Sequence, residues 1–199
     1  MNGGNKKFGD EGAMNSSEKS GPIQEGAANV NFFSVDLGLR LLALASTITS
    51  VIVMVTGKET KTIQMPLLLI PLTVVAKFNY SPAFVYLVVA NSLASLYNIF
   101  VLSILAPSVK KKACVHTLFR LVVLDTLMAG IVASATGAST AVAYVGLKGN
   151  SHVQWNKICN VFNGFCHHVG ASSFLSLLAS ICFVLLIMTS AYSIYRRSR

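Results

Sequence analysis

Four stretches of this sequence are long and apolar enough to cross a lipid bilayer, and that leaves the chain few folds to choose from. They are 41–56, entered through Leu37 to Arg40, then 82–106, 118–145 and 169–195. A helix rising ~1.5 Å per residue needs roughly 20 apolar residues to cross the hydrocarbon. With no water there to satisfy the backbone, each segment must make its own hydrogen bonds, which a helix does internally. A soluble protein with buried core helices is the alternative. Apolar stretches of this length, in a chain 53% hydrophobic and only 12% charged, argue against it. The expected fold is all-α: a four-helix transmembrane bundle with spans at about 37–56, 82–106, 118–145 and 169–195. Residues 1–34, rich in Gly, Asn, Ser, Glu and Lys, read as a disordered tail, and 35–199 as the membrane domain.

Charge sets the expected orientation. The net charge is +9, and its basic residues fall unevenly on the two sides of the four spans. With both termini cytosolic, one side holds Lys6, Lys7, Lys19, Arg40, the run Lys110-Lys111-Lys112, Arg120, Arg196, Arg197 and Arg199. The other holds only Lys58, Lys61, Lys77, Lys148 and Lys157. The positive-inside rule therefore places both termini in the cytosol. Because the basic clusters flank spans, their partners are membrane lipids and not nucleic acid.

The third span, LFRLVVLDTLMAGIVASATGASTAVAYVGL, carries the residue that most needs explaining, Asp125. A carboxylate inside a membrane helix costs on the order of 3 kcal/mol, so it is expected to face protein and to have a partner. Following it at four-residue steps are Ala129, Ala133, Gly137 and Ala141, a stripe of small side chains that a second helix could approach closely. The first span offers Arg40 on a face shared with Ala43, Thr47, Ser50 and Met54. Arg40 either snorkels to the headgroups or pairs across the bundle. If both helices start at the cytosolic edge, Arg40 lies roughly 5 Å and Asp125 roughly 10 Å inside it, within reach of an arginine side chain. An intramembrane ion pair Arg40–Asp125 is therefore expected. Arg120 is the weaker partner, since five residues rotate it off the face of Asp125.

Polar residues elsewhere in the spans read as glue between helices: Asn91, Ser95 and Asn98 on one face of the second, Ser172, Ser176 and Ser180 on one face of the fourth. The first loop on the side away from the termini contains the apolar PLLLIPLTVV, too short to span. It is a strand or interfacial segment, or a contact for another subunit. The second loop reads GLKGNSHVQWNKICNVFNGFCHH. Cys159 and Cys166 lie there on the oxidising side, as a disulfide, as free thiols, or with His167 and His168 as zinc ligands. A disulfide would require a loop between them, since seven residues of helix separate them by ~10 Å. Gly164 would permit the turn. Trp155 either anchors at the interface, packs on the disulfide or makes an outer-loop contact.

These features together resemble one family. The order of LGLRLLALASTIT, NYSPAFVYLVVANSLASLYN, the third span with its single Asp, and the loop WNKICNVFNGFC resembles the plant CASP-like (Casparian strip membrane domain protein-like) family, subfamily 1, related to the MARVEL tetraspan domain. The resemblance runs from about Val35 to Arg197. It matches Arg40, Asp125, Trp155, Cys159 and Cys166 to the family's first-span Arg, third-span Asp and second-loop residues. It implies a plasma-membrane protein that self-associates as a homo-oligomer, or as a hetero-oligomer with related members. The best-known members build a platform that guides lignification through recruited cell-wall enzymes. The strip-forming members carry a first-loop signature resembling ESLPFFTQF, whereas this loop reads ETKTIQMPLLLIPLTVVAKF, which favours a CASP-like paralogue.

The expected function is thus a multi-pass scaffold. The competing reading is a small ion or proton transporter or channel using Asp125. No catalytic constellation is present in the sequence, and no enzyme activity, cofactor or metal is expected.

Overall fold

The computed structural model describes residues 23–64, 71–105, 115–153 and 155–198. The segment before residue 23, residues 65–70 of the first loop and residues 106–114, which contain Lys110-Lys111-Lys112, lie outside the described residues. Four helices dominate: α1 (Ile23–Thr56), α2 (Pro82–Leu105), α3 (Val115–Lys148) and α4 (Asn163–Ser198). Each contains a segment long and apolar enough to cross a membrane: Ser34–Thr56, Pro82–Ile104, His116–Lys148 and Asn163–Arg196.

The helix starts follow from local chemistry. Proline occupies the first position of α2, where the missing N–H costs nothing and the ring presets φ. The backbone carbonyl of Ser81 accepts the amides of Phe84 and Val85. Two helices start earlier than the apolar pattern indicates. α1 reaches back to Ile23, into the stretch assigned to the tail, because Gln24, Glu25, Ala27 and Ala28 are good helix formers that hydropathy does not register. α4 begins at Asn163, not near residue 169, so Cys166, His167 and His168 are helical.

The first loop supplies the structure's small sheet. β1 (Glu59–Gln64) and β2 (Pro71–Ala76) pair antiparallel, with Glu59 opposite Ala76 and Thr62 opposite Thr73. The β-branched Thr60, Thr62, Thr73, Val74 and Val75 suit a pleated ribbon. The apolar segment of the loop thus enters a hairpin strand at Pro71.

Around the bundle, α1 packs against α2 and α4, and α3 packs against the same two helices. α1 and α3 are therefore diagonal to one another, as are α2 and α4. Met54, Phe84, Leu87, Ala90, Ala135 and Val169 form an apolar cluster toward the hairpin and second loop, hereafter the loop end. Ala94, Ala129, Val132, Ala179, Phe183 and Leu186 form another toward the termini. Large apolar side chains such as Leu41, Ile52, Leu96, Phe100, Phe174 and Met188 point outward. Lipid solvates those residues as well as protein would, so apolar burial alone does not hold the bundle together. Close packing and polar contacts inside it must do so.

Candidate functional site

The polar interior is arranged in two layers, and each crosses the bundle along a different diagonal. In the layer nearer the termini, Arg40 of α1 meets Asp125 of α3. Its Nη1 donates to Asp125 Oδ1 at 3.2 Å and its Nη2 to Oδ2 at 2.9 Å. Both side chains are fully buried, with relative exposure 0%. Tyr97 of α2 donates its hydroxyl to Asp125 Oδ1 at 2.7 Å. Arg40 Nε donates to Asp36 Oδ2 at 3.2 Å, one turn earlier on α1. The planar guanidinium suits this task, since its fork matches a carboxylate bidentately while Nε remains free for a second one. Arg40 is consumed inside the protein and does not snorkel.

The second layer lies ten residues further along α1, at Ser50. Ser50 Oγ donates to Ser172 O at 2.9 Å, and Ser172 Oγ donates back to Ser50 O at 2.8 Å, tying α1 to α4. Asn91 of α2 donates its amide to Ser176 Oγ of α4 at 3.0 Å and accepts in return through Oδ1 at 3.2 Å. Thr136 and Ser139 of α3 join α4 through Ser176 at 2.8 Å and Ser173 at 3.1 Å. Charge is absent here. Asn98, one layer away on α2, is fully buried, and among the described residues neither its amide nitrogen nor its oxygen has a partner.

The stripe read from α3 divides between the inside and the outside of the bundle. Ala129 is buried, but Ala133, Gly137 and Ala141 face outward. The packed face runs instead through Asp125, Ala129, Val132, Thr136 and Ser139, in alternating steps of four and three. At about 100° per residue, a strict four-residue step gains ~40° each time, so by Ala141 the stripe has turned ~160° from Asp125. Alternating four and three keeps the average near 3.5, which follows the left-handed seam between packed helices.

At the loop end, Cys159 and Cys166 form a disulfide with Cα atoms 5.7 Å apart. The chain reverses at 158–162 and Cys166 then sits in the first turn of α4, so only part of the separating segment is loop. This pairing uses both thiols, and among the described residues no group of three or more His, Cys, Asp or Glu is placed to hold a metal ion. Gly164 makes no turn. It is helical, and a Cβ there would come within 3.1 Å of the Glu59 carboxylate. Glu59 Oε2 accepts the backbone amide of Phe165 at 2.8 Å, so a residue of the hairpin caps α4. That hydrogen bond is the leading reason the Glu59 carboxyl is held below its ordinary range. Trp155 is 62% exposed, its backbone paired with Asn150.

Sequence reasoning missed Asp36, Tyr97 and Glu59. Asp36 was legible, since an acid four residues before an Arg shares its helix face. Tyr97 and Glu59 reach partners 28 and 106 residues away, and no local pattern marks them.

A helical bundle with four membrane-crossing segments, its interior closed by a diagonal ion pair and a hydroxyl–amide layer, is a polytopic membrane protein of tetraspan build. Residues 30–182 match the Casparian strip membrane protein domain, and the chain belongs to that family. It is similar to CASP-like protein 1D1 of Populus trichocarpa, 52% identical over 169 residues that cover 84% of this chain and 86% of that one. It is also similar to CASP-like protein 1D1 of Musa acuminata, 48% identical over 85% of this chain and 91% of that one. With CASP-like protein 1D1 of Glycine max it shares 46% identity over 96% of both chains. No solved structure matches it.

Proposed function

We propose that this protein is a plasma-membrane scaffold that self-associates into membrane domains, alone or with related family members, and recruits cell-wall-modifying partners. Its termini face the cytosol, and the hairpin and second loop face the wall. The uneven distribution of basic residues supports this orientation, as does a disulfide at the opposite end from the termini.

The observation that carries the reading is that the buried charge is fully engaged within the fold. Asp125 accepts from both Arg40 terminal nitrogens and from Tyr97, so its charge is neutralised and most of its acceptor capacity is used within the fold. The polar groups of a transporter line a path, whereas these tie helices to each other. Meanwhile the small residues Gly130, Ala133, Gly137 and Ala141 remain on the outer surface, and a Cβ at Gly130 or Gly137 would meet nothing within 4 Å. Such a surface lets a helix of a second protomer approach closely.

Photobleaching of a fluorescently tagged copy in its own tissue tests the proposal. Discrete patches with slow recovery are expected, with faster recovery for Gly137→Leu. Even distribution with fast recovery in the unmodified protein would reject the scaffold reading. Ion flux in proteoliposomes that depends on Asp125 would replace it with transport.

A further inference from the structure

The pairing of β1 with β2 has an awkward consequence at its open end. Glu59 lies opposite Ala76, so continuing the same register by one residue sets Lys58 opposite Lys77. Like charges directly opposite one another across a ribbon are unfavourable. Among the described residues neither lysine makes an ion pair, and Glu59, the only acidic residue in the two loops of the loop end, is engaged with Phe165 N and with Lys61 at 3.4 Å. Lys77 starts the short 3₁₀ turn Phe78–Tyr80 without using its side chain as a cap.

Both lysines line a cavity of about 80 Å³, together with Val55, Gly57, Phe78 and Asn79. The position of this cavity is specific. Val55 belongs to the last turn of α1 and is exposed on the apolar surface of the membrane span, so the cavity lies where hydrocarbon gives way to headgroups. Its lining therefore comes from two lysines, one asparagine and an apolar edge.

We propose that Lys58 and Lys77 together bind a phosphate-type oxyanion in this cavity, with Asn79 as an additional donor. The anion is the headgroup of a phospholipid whose chains run down past Val55, or free phosphate from solution. Binding relieves the repulsion between the lysines and fastens the base of the hairpin to the membrane boundary. This site is separate from the inter-protomer surface and does not depend on self-association.

Native mass spectrometry of the detergent-solubilised full chain, titrated with phosphatidylglycerol or with inorganic phosphate, tests it. Each surface lysine near an anionic headgroup contributes on the order of 1 kcal/mol, so losing both charges should lower binding about tenfold or more. Lys58→Gln with Lys77→Gln is expected to show that loss. Lys58→Arg with Lys77→Arg should retain binding, and Lys148→Gln with Lys157→Gln, equal in charge removed but away from the cavity, should leave it unchanged. Loss confined to phosphatidylglycerol identifies a lipid headgroup; loss confined to inorganic phosphate identifies a soluble anion. Either supports the site. Equal binding of both probes by wild type and the glutamine double variant would overturn it, as would an equal loss in the Lys148 and Lys157 variant or no binding to wild type.

Discussion

The two ends of this bundle are closed by different means. Toward the termini, α1, α2 and α3 are joined by charge: Asp36, Arg40, Tyr97 and Asp125 in one cluster around a buried ion pair spanning the α1–α3 diagonal. Toward the loops, neutral hydroxyls and an amide span the α2–α4 diagonal, and above them a disulfide and the Glu59 cap bind hairpin and second loop to α4. The difference shows how a bundle in lipid acquires a defined arrangement without a hydrophobic driving force. A charged pair tolerates only its one partner, since either member alone would be stranded in hydrocarbon. Serine and asparagine networks are individually weak and forgiving, so several are used.

The comparison breaks most sharply at Asp125. Asp125→Ala leaves Arg40 buried with only the partly exposed Asp36 beside it, and should cost about 3–5 kcal/mol. Unfolding in detergent would measure this, and surface delivery in cells should fall in parallel. Arg40→Met combined with Asp125→Leu should cost less than either single change, because no charge is left unpaired. If the double variant instead loses the sum of the two singles, the cluster is not acting as a unit. Arg40→Asp with Asp125→Arg should recover part of the loss.

The two buried asparagines of α2 should respond on a smaller scale and in two directions. Asn91→Leu removes contacts to Ser50 of α1 and, across the α2–α4 diagonal, to Ser176, and should cost about 1 kcal/mol. Asn98→Leu removes an amide that has no partner among the described residues, and should be neutral or stabilising. Thermal unfolding of the two variants side by side checks this. Equal destabilisation by both would mean that the layer does not depend on the hydrogen bonds at Asn91.

Legibility in the sequence follows the same division. The spans could be read because lipid demands apolar length. The meeting of Arg40 and Asp125 could be anticipated because each charge had an intolerable alternative and matching depth. The face Arg40, Ala43, Thr47, Ser50, Met54 of α1 is buried throughout, its steps of three and four already following the seam. The α3 stripe begins on the packed face at Ala129 and winds onto the outer surface, because four-residue repetition drifts off a seam that alternates fours and threes. What could not be read was anything fixed by the loops. The hairpin register, the entry of Cys166 into α4 and the capping of that helix by Glu59 depend on how distant segments meet, and hydropathy carries no record of that.

Glu59 gives the smallest and most selective test of the loop end. Its carboxylate accepts the Phe165 amide at the start of α4, where the helix dipole also favours negative charge. The folded-state pKa is depressed, so the folded form prefers the carboxylate more than the unfolded chain does. The stabilisation is therefore fully present above the unfolded pKa and is lost as pH falls through the lower, folded one. Since Glu59 is solvent-accessible, the effect on global melting should be slight, and the better readout is local: hydrogen exchange at the Phe165 amide. From about pH 7 to about pH 3, intrinsic exchange corrected, protection in the wild type should decline below the ordinary carboxylate range. In Glu59→Gln it should be lower at neutral pH and nearly flat. A pH-independent wild-type profile would show that the hairpin does not cap α4 in solution.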